Sequence, residues 1–147
     1  MSKVSNPIHA VINTYRRRMT ISSQNREALY RFIWRLLQER DCKLYRIGGV
    51  ENHLHILFDL NPNHALKDII RDIKKESSRW MKQCGMFPDF EKWGKEYFAF
   101  ARSREGIQST IEYIKSQPEH HRSVSFDDEM SSICRSVGIE WKDWLLS

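Results

Sequence analysis

Residues 53–60 read His53-Leu54-His55-Ile56-Leu57-Phe58-Asp59-Leu60, the clearest period of two in the chain. Successive side chains of an extended strand point to opposite faces, so Leu54, Ile56, Phe58 and Leu60 form one apolar face. His53, His55, Leu57 and Asp59 form the other. A strand of this kind needs strand neighbours and a layer to cover its apolar face, and the flanking sequence supplies both. Residues 41–50 read as the preceding strand, with Gly48-Gly49 marking a bulge or bend near its end. Asn61-Pro62-Asn63 ends the 53–60 strand and caps a helix over about 64–83. Its Leu66, Ile69, Ile70, Ile73, Ser77 and Trp80 recur at the spacing of a buried stripe.

Farther out, residues 7–15 have the β-branched, alternating character of a first strand, closed by Arg16-Arg17-Arg18. Thr20-Ile21-Ser22-Ser23 offers N-caps for a helix over about 23–40 that buries Leu29, Phe32, Ile33, Leu36 and Leu37. Residues 84–95 read as a loop punctuated by Gly85, Pro88 and Gly94 and tucked down by Phe87, Phe90 and Trp93. A short strand at 97–101 precedes a third helix at 105–117, with Ile107, Ile111 and Ile114 as its buried stripe and Pro118 as its stop. The order predicts an α+β fold, a ferredoxin-like or RRM-like sandwich. Its antiparallel sheet carries two helices on one face, and the third, tyrosine-bearing helix lies near the other.

The 147 residues suit one compact domain over 1–117 with a short tail over 118–147 that docks on it. The longest apolar run, Tyr97-Phe98-Ala99-Phe100-Ala101, is far short of a membrane span, and Met1–Pro7 lacks the apolar core of an export signal. Cys42, Cys84 and Cys134 show no metal or redox spacing, which predicts reduced thiols in a cytoplasmic protein with no membrane partner. Net charge is +5, unevenly spread: residues 1–50 hold ten Lys/Arg against three Asp/Glu, residues 118–147 three against six. A basic body with an acidic tail is compatible with nucleic-acid binding.

His53 and His55 project from one strand face, where they read either as an exposed pair or as ligands for a divalent cation. On the third helix Tyr113 lies about 120° around from the isoleucine stripe, with Gln117 one turn on along the same flank. A tyrosine so placed can act as a covalent nucleophile if its weakly acidic phenol is activated. Lys67, Arg71 and Lys74 share a helix face that reads either as solvated surface or as a phosphate-contacting stripe.

Five collinear stretches, His9–Arg17, Asn52–Leu57, Ile73–Ser78, Trp93–Phe98 and Ile111–Gln117, together carry a resemblance. His-hydrophobic-His followed some sixty residues later by Tyr-x-x-x-Gln resembles the single-tyrosine HUH transposases of bacterial insertion sequences (the IS200-like family), including their relatives at repetitive palindromes. The resemblance implies Mg²⁺ or Mn²⁺ held by His53, His55 and Gln117, with Tyr113 as the catalytic nucleophile that forms a 5′-phosphotyrosine. It implies single-stranded DNA with a hairpin as partner, a homodimer, and no nucleotide cofactor; Arg16, Arg17, Arg18, Lys67, Arg71 and Lys74 are the expected DNA contacts. In several members the tyrosine helix reaches the partner subunit's metal site. A histidine face covered only by the third helix also favours pairing with a second copy.

Asn52 stands where the family often has an acidic residue. His120 and His121 read as surface residues, while Trp141, Trp144 and Leu145 have the spacing of a docking helix. Two other readings compete. One is a non-catalytic single-stranded nucleic-acid-binding module using Phe98 and Phe100, which would need no metal. The other is a replication initiator or relaxase of the same histidine motif. Initiators place a lysine three residues after the tyrosine, where Ser116 stands here, and relaxases place the tyrosine before the histidines.

Overall fold

The computed structural model describes residues 3–141, so the expectations for Trp144 and Leu145 fall outside the described residues. Strand β1 (Pro7–Asn13) leads through a 3-10 turn at Tyr15–Arg17 to helix α1 (Arg26–Glu39), then β2 (Leu44–Val50) and β3 (His53–Asp59). Helix α2 (Leu66–Cys84) and β4 (Phe98–Ala101) follow, then α3 (Ile107–Lys115), α4 (Gln117–His120) and α5 (Phe126–Val137). The strands form one antiparallel sheet in the order β2-β3-β1-β4, the ferredoxin-like arrangement that the periodicities predict.

One sheet face presents Ile8, Ala10, Ile12, Leu54, Ile56 and Phe58, and α1 and α2 close over it. Leu29, Ile33, Leu36 and Leu37 from α1 and Ile69, Ile70, Ile73 and Ser77 from α2 are buried as expected, while Phe32, Leu66 and Trp80 are only partly buried against them and Met81, outside the expected stripe, is buried. Each of the buried apolar side chains contributes roughly 1.5–3 kcal/mol on burial. Phe87, Phe90 and Trp93 pin the loop after α2 into the same core, and Trp93 Nε1 donates to the buried Ser77 hydroxyl at 2.9 Å. The three cysteines are free thiols, and no helix among the described residues is long and apolar enough to cross a membrane.

Gly48 and Gly49 do not form a bulge. The irregularity in β2 falls between Leu44 and Arg46, and Gly48 and Gly49 pair in register with His55 and Leu54. The glycines serve close approach. A Cβ on Gly49 would meet the His53 carbonyl oxygen at 2.2 Å; one on Gly48 would meet Cγ2 and the carbonyl oxygen of Ile114 at 2.9 Å. The bare backbone at Gly48 lets α3 rest directly on β2.

That seating alters α3. Thr110 and Ile114 are its buried positions, while Ile107 and Ile111, expected in the stripe, are only half-buried. The helix ends at Lys115, and Pro118 lies in the first turn of α4 rather than acting as a stop, since a missing N–H costs nothing there. The histidine face is also better covered than expected. Phe126, Met130 and Cys134 of α5 pack on Val11, Phe98 and Phe100, so this face is no longer a physical reason for a second copy. Trp141 joins that cluster, its ring 5.9 Å from Phe98. Phe98 and Phe100, the aromatics of a base-stacking platform, are buried beneath it.

Candidate active site

Strand alternation sets His53 and His55 side by side on the sheet face away from α1 and α2, ring centroids 5.1 Å apart. Both are fully buried. Register adds a third imidazole: Val11 lies opposite His55, which brings the His9 ring to within hydrogen-bonding reach of His55. His9 Nε2 is 2.7 Å from His55 Nδ1, and His9 Nδ1 accepts from Arg102 Nη2 at 3.3 Å. Burial, the neighbouring His55 and the Arg102 charge push the His9 pKa down to about 2, so its ring is neutral.

Tyr113 and Gln117 come over this pair from α3 and the start of α4. The Tyr113 ring lies 5.6 Å from His55 and 6.2 Å from His9. Gln117 Oε1 is 3.0 Å from His53 Nε2. The four residues singled out from the sequence therefore converge. What their spacing did not disclose is the group at their centre, Glu129 of α5. Its Oε1 is 3.2 Å from His53 Nε2, 3.3 Å from His55 Nε2 and 2.9 Å from His121 Nε2. Its Oε2 accepts from the Tyr113 hydroxyl, and from Gln117 Nε2 at 2.6 Å.

The electrostatics follow from one anion buried among these donors. Burial would raise the Glu129 pKa, but its contacts with His121, His53 and His55 outweigh it and hold the carboxyl far below its usual range. Burial would lower His121, yet its bonds to Glu129 and the Val124 carbonyl win and raise it. His121 is therefore part of the cluster, contrary to its reading as a surface residue, and His120 Nε2 lies 3.7 Å from Glu129 Oε2. Burial raises the Tyr113 phenol well above its ordinary value, and the bond to the Glu129 carboxylate raises it further. A phenol held this way is a poor nucleophile until its charge is stabilised.

Burial lowers His53 to about 4, with the Glu129 bond opposing. An unfolded histidine titrates near 6.5, so between pH 6.5 and 4 the unfolded chain binds the extra proton and stability falls with pH. In chelator, the metal-free protein is expected to lose on the order of 3 kcal/mol across that window from His53 alone. His121 acts in the opposite sense: its contribution is full below its unfolded pKa and is lost as pH rises through its raised folded one. Denaturant melts at pH 7 and pH 4.5 check this; an acid limb as steep in His53→Gln as in the parent chain would contradict it.

Asn52, which stands in place of the expected acidic residue, sets its side chain against His53. Its Oδ1 accepts from His53 Nδ1 at 2.8 Å, which orients the ring and turns Nε2 toward Glu129. His53, His55 and Glu129 each offer a ligand atom, all within 4.8 Å of one another, and His120, His121 and Glu129 do likewise. Two imidazoles and a carboxylate are a donor set that suits a divalent cation. The sequence did carry a faint signal for Glu129. It sits among Phe126, Met130, Ile133 and Cys134, inside the apolar stripe of an amphipathic helix, where a solvated glutamate has no place.

The basic residues divide. Arg16 and Arg17 form a turn with positive φ (54° and 57°), a conformation rare outside glycine. Arg17 pairs with Asp127 of α5, and Arg18 with Glu91 at 2.7 Å. Arg16, Arg18 and Lys92 gather around the Tyr15 ring at 5.0, 5.6 and 4.2 Å. Arg71 pairs with Asp68 and Asp72, and Lys67 is exposed. Lys74 is tethered: its ammonium donates to the carbonyls of Gly94 and Glu96 at 2.9 Å, and burial lowers it to about 8. Lys95 joins the two groups, lining one groove with Tyr15, Arg16 and Lys92 and another with Lys67, Arg71 and Lys74.

A family model described as "Transposase IS200 like" matches residues 2–117. Among solved structures, a candidate transposase from Deinococcus radiodurans R1 is similar at TM-score 0.61 and 17% identity, covering 80% of this chain and 95% of its own. A REP-associated tyrosine transposase bound to a REP hairpin is similar at TM-score 0.61 and 18% identity, covering 84% of this chain and 76% of its own. No curated protein matches the sequence.

Proposed function

The chain belongs to the IS200-like transposase family, and on that basis we propose that it cleaves and rejoins single-stranded DNA at hairpin-marked sites through a covalent bond between Tyr113 and a 5′-phosphate. One observation carries the reading: the Tyr113 hydroxyl and the His53–His55 pair meet on a single carboxylate. In the proposed step the Tyr113 oxygen bonds to phosphorus and the bond from phosphorus to the 3′-oxygen breaks. The phenolic proton ends on that departing oxygen. A tyrosyl ester retains the energy of the phosphodiester, so a free 3′-hydroxyl can reverse the step and join strands, whereas attack by water would dissipate it.

His53 and His55, with Gln117 beside them, would hold Mg²⁺ or Mn²⁺. Such an ion, when bound, stabilises the charge that develops on the scissile phosphate. Arg16, Arg17, Arg18, Lys67, Arg71 and Lys74 are the proposed DNA contacts. The exposed Arg16 and Lys67, linked through Lys95, suit that role best; Arg17 and Lys74 would first have to leave their partners. The hairpin-bound relative supports a hairpin as the partner. Homodimerisation rests on the family alone, and sedimentation near twice 17.6 kDa is expected.

The reading is tested by denaturing electrophoresis of the protein with a labelled hairpin oligonucleotide in Mn²⁺. Label that travels with the protein and disappears when a chelator is added is the expected result. Cleavage undiminished by chelator, or cleaved DNA with no protein attached, would sink it.

A further inference from the structure

We infer that Glu129 is the anionic ligand of the divalent-cation site, delivered by a helix that lies beyond the family-matched segment. The inference rests on the reading above and adds a residue that the histidine and Tyr-x-x-x-Gln motifs do not contain. α5 begins at Phe126, past residue 117 where the family match ends. If Glu129 is a ligand, residues 118–137 complete the catalytic centre rather than decorate it.

The argument is one of unmatched lone pairs. His53 Nδ1 is committed to Asn52 Oδ1, and Asn52 Nδ2 donates to the Arg17 carbonyl, which fixes the amide's orientation. His53 Nδ1 therefore carries the ring proton, and Nε2 turns a lone pair toward two oxygens, Gln117 Oε1 at 3.0 Å and Glu129 Oε1 at 3.2 Å. Turning the Gln117 amide over does not help. It would satisfy His53 but place the amide oxygen 2.6 Å from Glu129 Oε2. Three acceptors, the His53 Nε2 lone pair, Gln117 Oε1 and Glu129 Oε1, thus face one buried point, and the His121 donor that reaches Glu129 Oε1 bonds neither of the other two. A divalent cation seated among His53, His55 and Glu129, whose ligand atoms lie within 4.8 Å of one another, is the group that fits.

The surrounding contacts divide the carboxylate's work. Oε1 faces His53 and His55, the proposed ligands, while Oε2 receives the Tyr113 hydroxyl and the Gln117 amide. Glu129 would then join the cation to the nucleophile through one side chain. His121 acts as a positioning residue: it donates from Nε2 to Oε1 at 2.9 Å and anchors its other nitrogen on the Val124 carbonyl at 2.7 Å.

The test is calorimetric titration of the full chain with Mn²⁺, comparing the parent protein, Glu129→Gln and His53→Ala, with circular dichroism in chelator as the control for folding. Removing a ligand is expected to weaken Mn²⁺ binding at least about tenfold in both variants. Glu129→Gln binding within twofold of the parent, while His53→Ala loses the ion, would overturn the Glu129 assignment and leave the metal-dependent reading standing. A parent chain that binds no Mn²⁺, or a His53→Ala variant that binds it unchanged, would overturn both. Glu129→Gln that keeps the ion and forms more covalent adduct would also overturn the assignment, marking Glu129 as a restraint on Tyr113. If Glu129→Gln does not fold, Mn²⁺ anomalous scattering from crystals of the parent protein decides the point. An ion at bonding distance from Glu129 supports the inference, and one on His53 and His55 with Glu129 turned away overturns it.

Discussion

Tyr113→Phe is expected to leave a folded, DNA-binding protein that forms no covalent protein–DNA band. The substitution removes one oxygen and nothing else from a site where that oxygen is the proposed nucleophile. Removing an enzyme's nucleophile commonly lowers turnover by roughly 10⁴-fold or more, which in this assay is complete loss. The structural cost is small by comparison. The hydroxyl's bond to Glu129 is forfeited, and one hydrogen bond is worth about 1 kcal/mol net, while the ring keeps its contacts with His9 and His55. Denaturing electrophoresis reads the adduct, and fluorescence anisotropy with the same hairpin should give an affinity within about twofold of the parent. An adduct that persists in Tyr113→Phe would place the nucleophile elsewhere.

Phe126→Ala is expected to be the most damaging single truncation on α5, at about 3–5 kcal/mol. The side chain is buried, with its ring 4.2 Å from His53, and it belongs to the cluster that seats α5 on Val11, Phe98 and Phe100. Its loss opens a cavity directly beside the histidine pair. Because Glu129 lies one turn further along the helix, loosening Phe126 should also loosen the carboxylate, and Mn²⁺ binding should fall with stability. Ser132→Ala, on the exposed side of the same helix, is the control and should stay within about 0.5 kcal/mol. Urea denaturation measures both; a Phe126→Ala cost below about 1 kcal/mol would show that α5 is not firmly docked.

Much of this was legible in the chain because it is written in short-range periods. Alternation in residues 53–60 assigned His53 and His55 to the face away from Phe58. The stripes of residues 29–37 and 66–81 assigned two helices to the other face. Tyr113 and Gln117, four apart, had to share a flank. Each inference uses neighbours within one or two turns or one strand, where geometry follows from backbone type alone. Errors arose where a residue's role depends on something distant in sequence. Gly48 looked like a bulge because only the packed structure reveals Ile114 above it. His121 looked solvated because nothing near it announces Glu129.

Local spacing and alternating hydrophobicity suffice for the elements up to α3, the ferredoxin-like sandwich, the histidine pair and the tyrosine candidate, but not for α4 and α5, which read only as a tail. Only the tertiary structure decided that His9 stands behind His55, that Asn52 orients His53, and that a glutamate from the acidic tail sits between the histidines and Tyr113. The physical reason is that these meetings depend on the β1–β3 register and on the docking of α5, which are set by summed packing across residues 46 to 76 positions apart. No period within a single element encodes them.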